Sequence, residues 1–392
     1  MAIASIEAHY VEIPLPGDFH PSWVPGLTQR HNRCLLVQVH DDVGHTGIGA
    51  GTVFEPRQAE LGAYVMVDLI GRFLLGADPF EIERHARLVT RFGLMLGGRP
   101  WPLECALWDL MARISGVPLY KLLGGTRDRI RTYLSFGESL QTRDLATRLE
   151  AIDARLEEGF RAFKLRSRSE DYRDDVRMME AVRAHVGDEI DLMVDCNQGW
   201  NLSPLGAEWS YEEARELCHA ASRLGFLWVE EPRHRFDLGG LARLCDEVEV
   251  TIAGGELNQG LHEFEVLIDG DCLDKLQPDA CLAGGTSMVR KVAALCEARG
   301  KSFSPHTWTN GIGLLHNLQI ACGVPNCEVL EYPYEEPGWV PDARDALLLD
   351  PPRPVDGVLA VPQRPGIGCE LDPEALERWG RPLSHGRGSD SR

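Results

Sequence analysis

No stretch of the chain approaches the roughly 18 consecutive apolar residues needed to cross a bilayer, and none of the eleven cysteines stands in a CxxC pair. A membrane-spanning protein and a clustered thiol–metal site are both disfavoured on that ground. The cysteine count is odd, and several thiols lie in apolar runs, Cys105 in LECALW and Cys296 in VAALCEA. Reduced core thiols in the cytoplasm are therefore expected rather than a disulfide framework. The opening MAIASIEAHYVEI alternates like a strand and does not read as a signal peptide. Positive charge is scarce as well: 40 Lys+Arg face 60 Asp+Glu, a net charge of −20. Such a surface argues against nucleic acid or anionic membrane as a partner, since each would be repelled over a Debye length. It does not argue against a small anion, because local charge at a site can oppose the global sign. No internal repeat appears at solenoid periods.

What remains is a globular composition, with 44% hydrophobic and 26% charged residues over 392 positions. That length is too great for one ordinary core, so two domains, or a barrel with an accessory domain, are expected. Residues 1–55 read as strands, with Ile3 to Ile13 alternating and Cys34 to Val39 followed by a DDVG turn. From 57 to 123 the period becomes helical. Ala106, Leu107, Leu110, Met111 and Ile114 form one stripe that stops at Gly116, giving an α+β block over 1–128. After Gly125, eight short β-rich runs alternate with amphipathic helices: RTYLSF, FRAFKL, IDLMVD, FLWVE, VTIAG, DKLQP, KSFSP and CEVLE. Ser210 and Glu213 open one of the intervals with capping-box spacing. This alternation predicts a (β/α)₈ barrel over 129–350, with a doubly wound open sheet as the competitor. The Pro- and Gly-rich stretch 351–380 leaves the barrel, and the polar tail 381–392 is expected to fray.

The strand ends carry the chemistry. The second run closes on Lys164-Leu-Arg166, the third on Asp195-Cys-Asn197, the fourth on Glu230-Glu231-Pro232. The next four close on Glu256, Asp279, His306 and Glu331, each 23 to 35 residues after the last, about one βα unit. Singly, such a residue is more often a cap or a solvated loop group. Seven consecutive strands ending this way are not explained so, and in a barrel all seven ends meet at one mouth. Asp195, Glu230 and Glu256 are hard oxygen ligands suited to an octahedral divalent ion. Zinc is disfavoured by the want of a Cys or His cluster, and a metal-hydrolase barrel by the want of His-x-His in RTYLSFGE. Lys164 and Arg166 share one strand face. His306 opposes them, with Asp279 placed to accept its Nδ1 proton and raise its basicity. Glu331 would hydrogen-bond a substrate carboxylate if held protonated, and Glu231 is read as a salt-bridge partner. His20, Trp23 and Arg30 sit in an interrupted stretch of the first block, while Trp200 and Trp308 directly follow strand-end groups. Polar-plus-aromatic lining of this kind suits a hydroxylated chain, although Trp23 reads equally well as core of the first block.

The order Lys-x-Arg, Asp-x-Asn, Glu-Glu-Pro, Gly-Glu, Pro-Asp, His, Leu-Glu resembles the enolase superfamily, in its mandelate racemase subgroup (the mandelate racemase/muconate lactonizing enzyme family). WPLECALWDLMARISGVPLYKLLGG (101–125) is similar to that family's helix-to-barrel junction, and PQRPGIGCELDPEAL (362–376) to its C-terminal return onto the cap. The resemblance implies a modified TIM barrel with an α+β N-terminal capping domain completed by the C-terminal segment. It also implies one Mg²⁺ per subunit on Asp195, Glu230 and Glu256, with Asn197 near it. The proton α to a carboxylate would be taken by His306 with Asp279, and Glu331 would touch that carboxylate. With the metal bound and Lys164 and Arg166 counted, the rim nets roughly +1, a sign that attracts an anionic substrate. One position departs from the family's two-base racemases, which resemble Lys-x-Lys: the second lysine is Arg166 here, and a guanidinium keeps its proton near neutral pH. An acid-sugar dehydratase giving a 2-keto-3-deoxy acid is expected. Racemase, epimerase or cycloisomerase is the alternative, and a non-catalytic carboxylate-binding barrel the alternative of another class. His20, Trp23, Asn197 and Trp308 are expected to contact the small hydroxy-acid substrate, and a homo-oligomer is expected.

Overall fold

The computed structural model describes residues 1–202, 206 and 208–387. The chain opens with three antiparallel strands, β1 (Ile3–Phe19), β2 (Gln29–Asp41) and β3 (Thr46–Thr52). The DDVG segment turns β2 into β3, with Asp41 Oδ1 accepting from the Val43, Gly44 and His45 amides at 2.7–3.0 Å. Period-2 alternation in β3 puts Gly47, Gly49 and Gly51 on one face, and the helix Trp101–Ile114 lies against it. A Cβ at Gly49 would stand 2.0 Å from the Pro102 carbonyl oxygen, and one at Gly47 2.1 Å from that of Ala106. Only glycine permits this close a sheet–helix contact.

The second layer is the barrel. Its parallel strands are β4 (Arg129–Ser135), β5 (Ala162–Arg166), β6 (Asp191–Asp195), β7 (Trp228–Glu230), β8 (Thr251–Gly254), β9 (Lys275–Leu276), β10 (Ser302–Phe303) and β11 (Val329–Pro333). They pair in the order β10-β9-β8-β7-β6-β5-β4-β11. A parallel bridge from Phe303 to Cys327, just ahead of β11, joins the two ends and closes the circle. Inward-facing Tyr133, Ala162, Met193, Trp228 and Ala253 fill the floor, so the mouth and not a through-pore is open to ligand. The helical intervals form as their patterns predict. Leu145–Glu157 follows the Asp144 cap, and Tyr211–Arg223 opens on the full Ser210–Glu213 capping box.

After β11 the prolines at 351, 352 and 354 end further crossover, and the chain drops to the barrel's lower end. There Val358–Ala360 pairs with Arg129–Arg131. Gly366 and Ile367 then dock on the cap helix, where the buried Asp109 accepts from the Ile367 amide (2.6 Å), the Ile48 amide (2.8 Å) and Arg113 Nε (2.9 Å). The expected fraying of the tail is corrected over its first part. Gly380–Arg387 is a strand paired antiparallel with β1, because β1 would otherwise present an open edge of backbone donors and acceptors. Residues 388–392 lie outside the described residues. No helix among those described is long and apolar enough to cross a membrane.

Candidate active site

Strand register assembles the site. Arg166 is hydrogen-bond neighbour to Asp195 across β5–β6, and Asp195 to Glu230 across β6–β7. The next loop brings Glu256 to the same level, so that ligand oxygens of Asp195, Glu230 and Glu256 all lie within 4.8 Å of one another. All three are buried. Three carboxylates so close repel: burial and then the Glu230 charge push Asp195 up to about 7, despite Arg166 and Lys164. A divalent cation relieves that repulsion, and an all-oxygen donor set is what a hard ion such as Mg²⁺ takes, so the residues fit the expected metal.

Two protein cations brace the cluster. Lys164 Nζ lies 2.8 Å from both Glu230 Oε2 and Glu331 Oε1, and 3.7 Å from Asp195. Burial alone would lower its pKa, but the Glu230 and Glu331 charges hold it above the ordinary lysine value. Arg166 pairs with Asp195, donates to the Phe136 carbonyl at 2.6 Å, and stacks its guanidinium 5.3 Å over Trp23 and 5.1 Å over Trp308. Gln277 and Trp228 add donors to Glu230 at 3.0 and 3.3 Å.

Across the mouth stands His306. Its Nδ1 meets Asp279 Oδ2 at 3.0 Å, and Asp279 Oδ1 accepts from the Cys281 amide at 2.7 Å, so both carboxylate oxygens are engaged and the ring is fixed. The other ring nitrogen, Nε2, lies 3.1 Å from Glu256 and 3.9 Å from Glu331. Burial lowers the His306 pKa, but Glu256, Glu331 and Asp279 together outweigh it and lift it to about 9. The Asn317 side chain holds the arrangement from behind, donating to the His306 carbonyl (2.9 Å) and accepting from the Ala280 amide (3.0 Å).

A cleft enclosing about 180 Å³ opens above these groups, with Arg166, Asn197, Glu256 and His306 on its barrel side. The cap contributes Trp23, which lines the cleft and meets Trp308 edge-on at 5.2 Å. Asn197, held at φ 46°, accepts from Ser22 Oγ at 2.7 Å and so ties the metal strand to the cap. Trp200 also lines the cleft and donates to Glu256 at 2.9 Å.

Four expectations are corrected. His20 does not line the cleft: its ring turns to Thr28 Oγ1 (3.2 Å), while its amide donates to Glu138 (2.8 Å). Arg30 is an exposed partner of Asp18. Glu331 is held ionised, not protonated. Lys164, His306 and Arg166 outweigh burial and keep its carboxyl well below the usual range, and it accepts from the Thr307 amide at 2.9 Å. Glu231 makes no ion pair among the described residues; burial and the neighbouring Glu256, Asp195 and Glu230 charges push its pKa well up, and Oε2 has no partner. Gln277 and Asn317 did not stand out in the sequence. Gln277 was legible in principle, two residues before Asp279 in the segment that follows β9. Asn317 was marked only by being polar inside the apolar run GLLHNLQI.

A closed parallel barrel with a carboxylate triad and a carboxylate-bound histidine at its C-terminal mouth, roofed by a separate α+β layer, defines the class of metal-assisted barrel enzymes. Residues 9–124 match the mandelate racemase/muconate lactonizing enzyme N-terminal domain, and residues 128–375 the enolase C-terminal domain-like family. The chain belongs to the enolase superfamily, in its mandelate racemase subgroup. It is 30% identical over 352 residues to the L-talarate/galactarate dehydratase of Salmonella typhimurium, covering 88% of this chain and 82% of that one. It is 32% identical to the 3,6-anhydro-alpha-L-galactonate cycloisomerase of Streptomyces coelicolor, covering 88% and 90%. The crystal structure of a racemase from Streptomyces coelicolor with bound magnesium superposes with a TM-score of 0.83 at 29% identity, covering 97% of this chain and 100% of that one. These relatives are acid-sugar dehydratases and cycloisomerases, and the protein is an enzyme of the same superfamily. Magnesium is the cofactor of this group, and the buried Asp195, Glu230 and Glu256 have the donor set to hold it.

Proposed function

We propose that the protein dehydrates an acid sugar, removing the proton α to the carboxylate and expelling the β-hydroxyl as water from the same face, to give a 2-keto-3-deoxy acid. The observation that carries this reading is the asymmetry of the mouth. On one side His306 is fixed by Asp279, with Nε2 turned toward the triad. On the other, the position opposite holds Arg166, a guanidinium engaged by Asp195 and the Phe136 carbonyl. Inversion needs a proton taken on one face and returned on the other, and a guanidinium does not do that near neutral pH. Syn elimination needs one group that takes a proton and gives it back, which suits the histidine.

In this mechanism Nε2 of His306 in its neutral form removes the α-proton, while Asp279 holds Nδ1–H and stabilises the imidazolium. A cation held on Glu256 offsets the charge that does most to raise the ring's pKa. Lys164 and Arg166 face the carboxylate as it gains negative charge on becoming an enediolate. Asp195, Glu230 and Glu256 would hold a magnesium ion, which would supply further positive charge to offset the negative charge of the enediolate. The imidazolium then passes its proton to the β-hydroxyl, water leaves, and the enol takes a solvent proton at C3 to become the ketone. Trp23 and Trp308 wall the site against bulk water. All eleven thiols are unpaired, which suits action in the cytoplasm.

Cycloisomerisation is the second reading, favoured by the Streptomyces relative: the same proton abstraction, without net loss of water. Aldarates, aldonates and their lactones, each offered with Mg²⁺ and assayed for 2-keto acid, separate the two. Release of 2-keto-3-deoxy acid supports dehydration, and lactone rearrangement alone supports the cycloisomerase. Conversion of no acid in the panel sinks both.

A further inference from the structure

Arg99 and Arg235 have no role in the chemistry above, yet both line the cleft. Arg99 makes no hydrogen bond and no ion pair with any described residue within reach. Arg235 donates one N–H to the Leu257 carbonyl at 2.7 Å, and its Nε is buried without a partner. Other buried arginines meet an acid, as Arg148 does Glu335 at 3.0 Å and Arg344 does Asp345 at 2.7 Å, or donate to amide oxygens, as Arg168 does to Asn197 and Asn201. Arg99 and Arg235 instead face one cavity, half-buried, with no acid paired to either among the described residues. Burial, and after it the charge of Arg235, pull the Arg99 pKa below the usual arginine value. The carboxylates that act on Arg99 from further off, Glu256 and Asp279, are taken up by Trp200 and His306.

The backbone also singles Arg99 out. It follows Gly97 and Gly98 and precedes Pro100, and it holds φ 45°. A residue ahead of proline is steered away from helical conformations, and a side-chain-bearing residue rarely takes positive φ, so the segment is strained to aim this side chain. The cleft wall beside it carries Gln29, Thr52 and Gln58 from the cap, and Thr52 Oγ1 is buried without a partner. This polar wall suits the hydroxyls of a sugar chain and the arginines a planar anion at its end.

We propose that Arg99 and Arg235 form a second carboxylate subsite at the far end of the cleft, so that the enzyme selects a dicarboxylic sugar acid, an aldarate, over the matching aldonate. The assignment rests on the acid-sugar reading above and names the substrate class within it. A monocarboxylate of equal length would leave two half-buried guanidiniums without a counter-charge, and a site built to pair a polar group rejects the ligand that lacks it.

The test compares matched pairs, galactarate with galactonate and glucarate with gluconate, on the Mg²⁺-loaded protein. It uses calorimetric binding and steady-state kinetics for the wild type, Arg99→Met, Arg235→Met and the charge-preserving Arg99→Lys. The expected result is a diacid-to-monoacid preference that falls about tenfold or more in each methionine variant, through Kd and KM more than kcat, and is partly restored in Arg99→Lys. Equal weakening of diacid and monoacid, or a wild type that prefers aldonates, overturns the subsite. The calorimetry keeps the two proposals apart. Diacid binding that depends on both arginines without turnover supports the subsite and overturns the dehydratase reading. Turnover of aldonates alone does the reverse.

Discussion

At the scale of single residues, the site is a balance of buried charge. Lys164 and Arg166 offset the triad from one side, and His306 and Asp279 face it from the other. Asp279 touches no reacting atom in the proposed chemistry and acts through the ring it orients. Asp279→Asn is therefore expected to lower kcat by roughly 10²–10⁴-fold with little change in KM. An unchanged kcat means that another group serves as base. These residues were legible in the sequence because each stands at a strand end or just beyond one, and strand ends recur at βα spacing. Arg99, Arg235 and Trp339 line the same cleft but were not legible. Their placement depends on how the cap docks on the barrel, and no local period encodes that. The roles expected of His20 and Glu231 failed for the same reason: residue type and chain position do not say which way a side chain turns once neighbours compete for it.

At the scale of elements, the cap is fastened by the glycine face of β3 against the helix Trp101–Ile114. Gly49→Val would drive a side chain into the Pro102 carbonyl, 2.0 Å from where its Cβ must lie. Overpacking of this kind costs about 2 kcal/mol or more, and an apparent Tm lowered by roughly 4 °C is expected. A variant as stable as the wild type means that the sheet–helix contact gives way easily. The eight barrel strands were legible from alternation, as was the Ser210–Glu213 box, whereas alternation left the strand order open between a closed barrel and a doubly wound sheet. The strand Gly380–Arg387 was not. RPLSHGR is polar and lacks a buried face, and it is ordered by the open edge of β1 at the other end of the sequence, where Ser5 pairs with Arg387 and Val11 with Gly380.

At the scale of the whole molecule, a protein of net charge −20 gathers acids at one mouth, where Asp195, Glu230 and Glu256 lie close enough to hold a cation. Binding a cation to the folded state alone stabilises it by RT ln(1 + [L]/Kd), about 2.7 kcal/mol at a hundredfold excess over Kd. Mg²⁺ is therefore expected to raise the Tm of the wild type after chelator treatment, and to raise it far less in Glu256→Gln. An equal rise in both places the bound ion elsewhere.

The most direct measurement of the proposed chemistry is NMR of the Mg²⁺-loaded enzyme acting on an aldarate in D₂O, with wild type and His306→Asn run in parallel. The expected result is a 2-keto-3-deoxy acid carrying one deuterium at C3 from the wild type, and none from the variant. Deuterium at C2 of unreacted acid without any keto product, or full activity in His306→Asn, would contradict it.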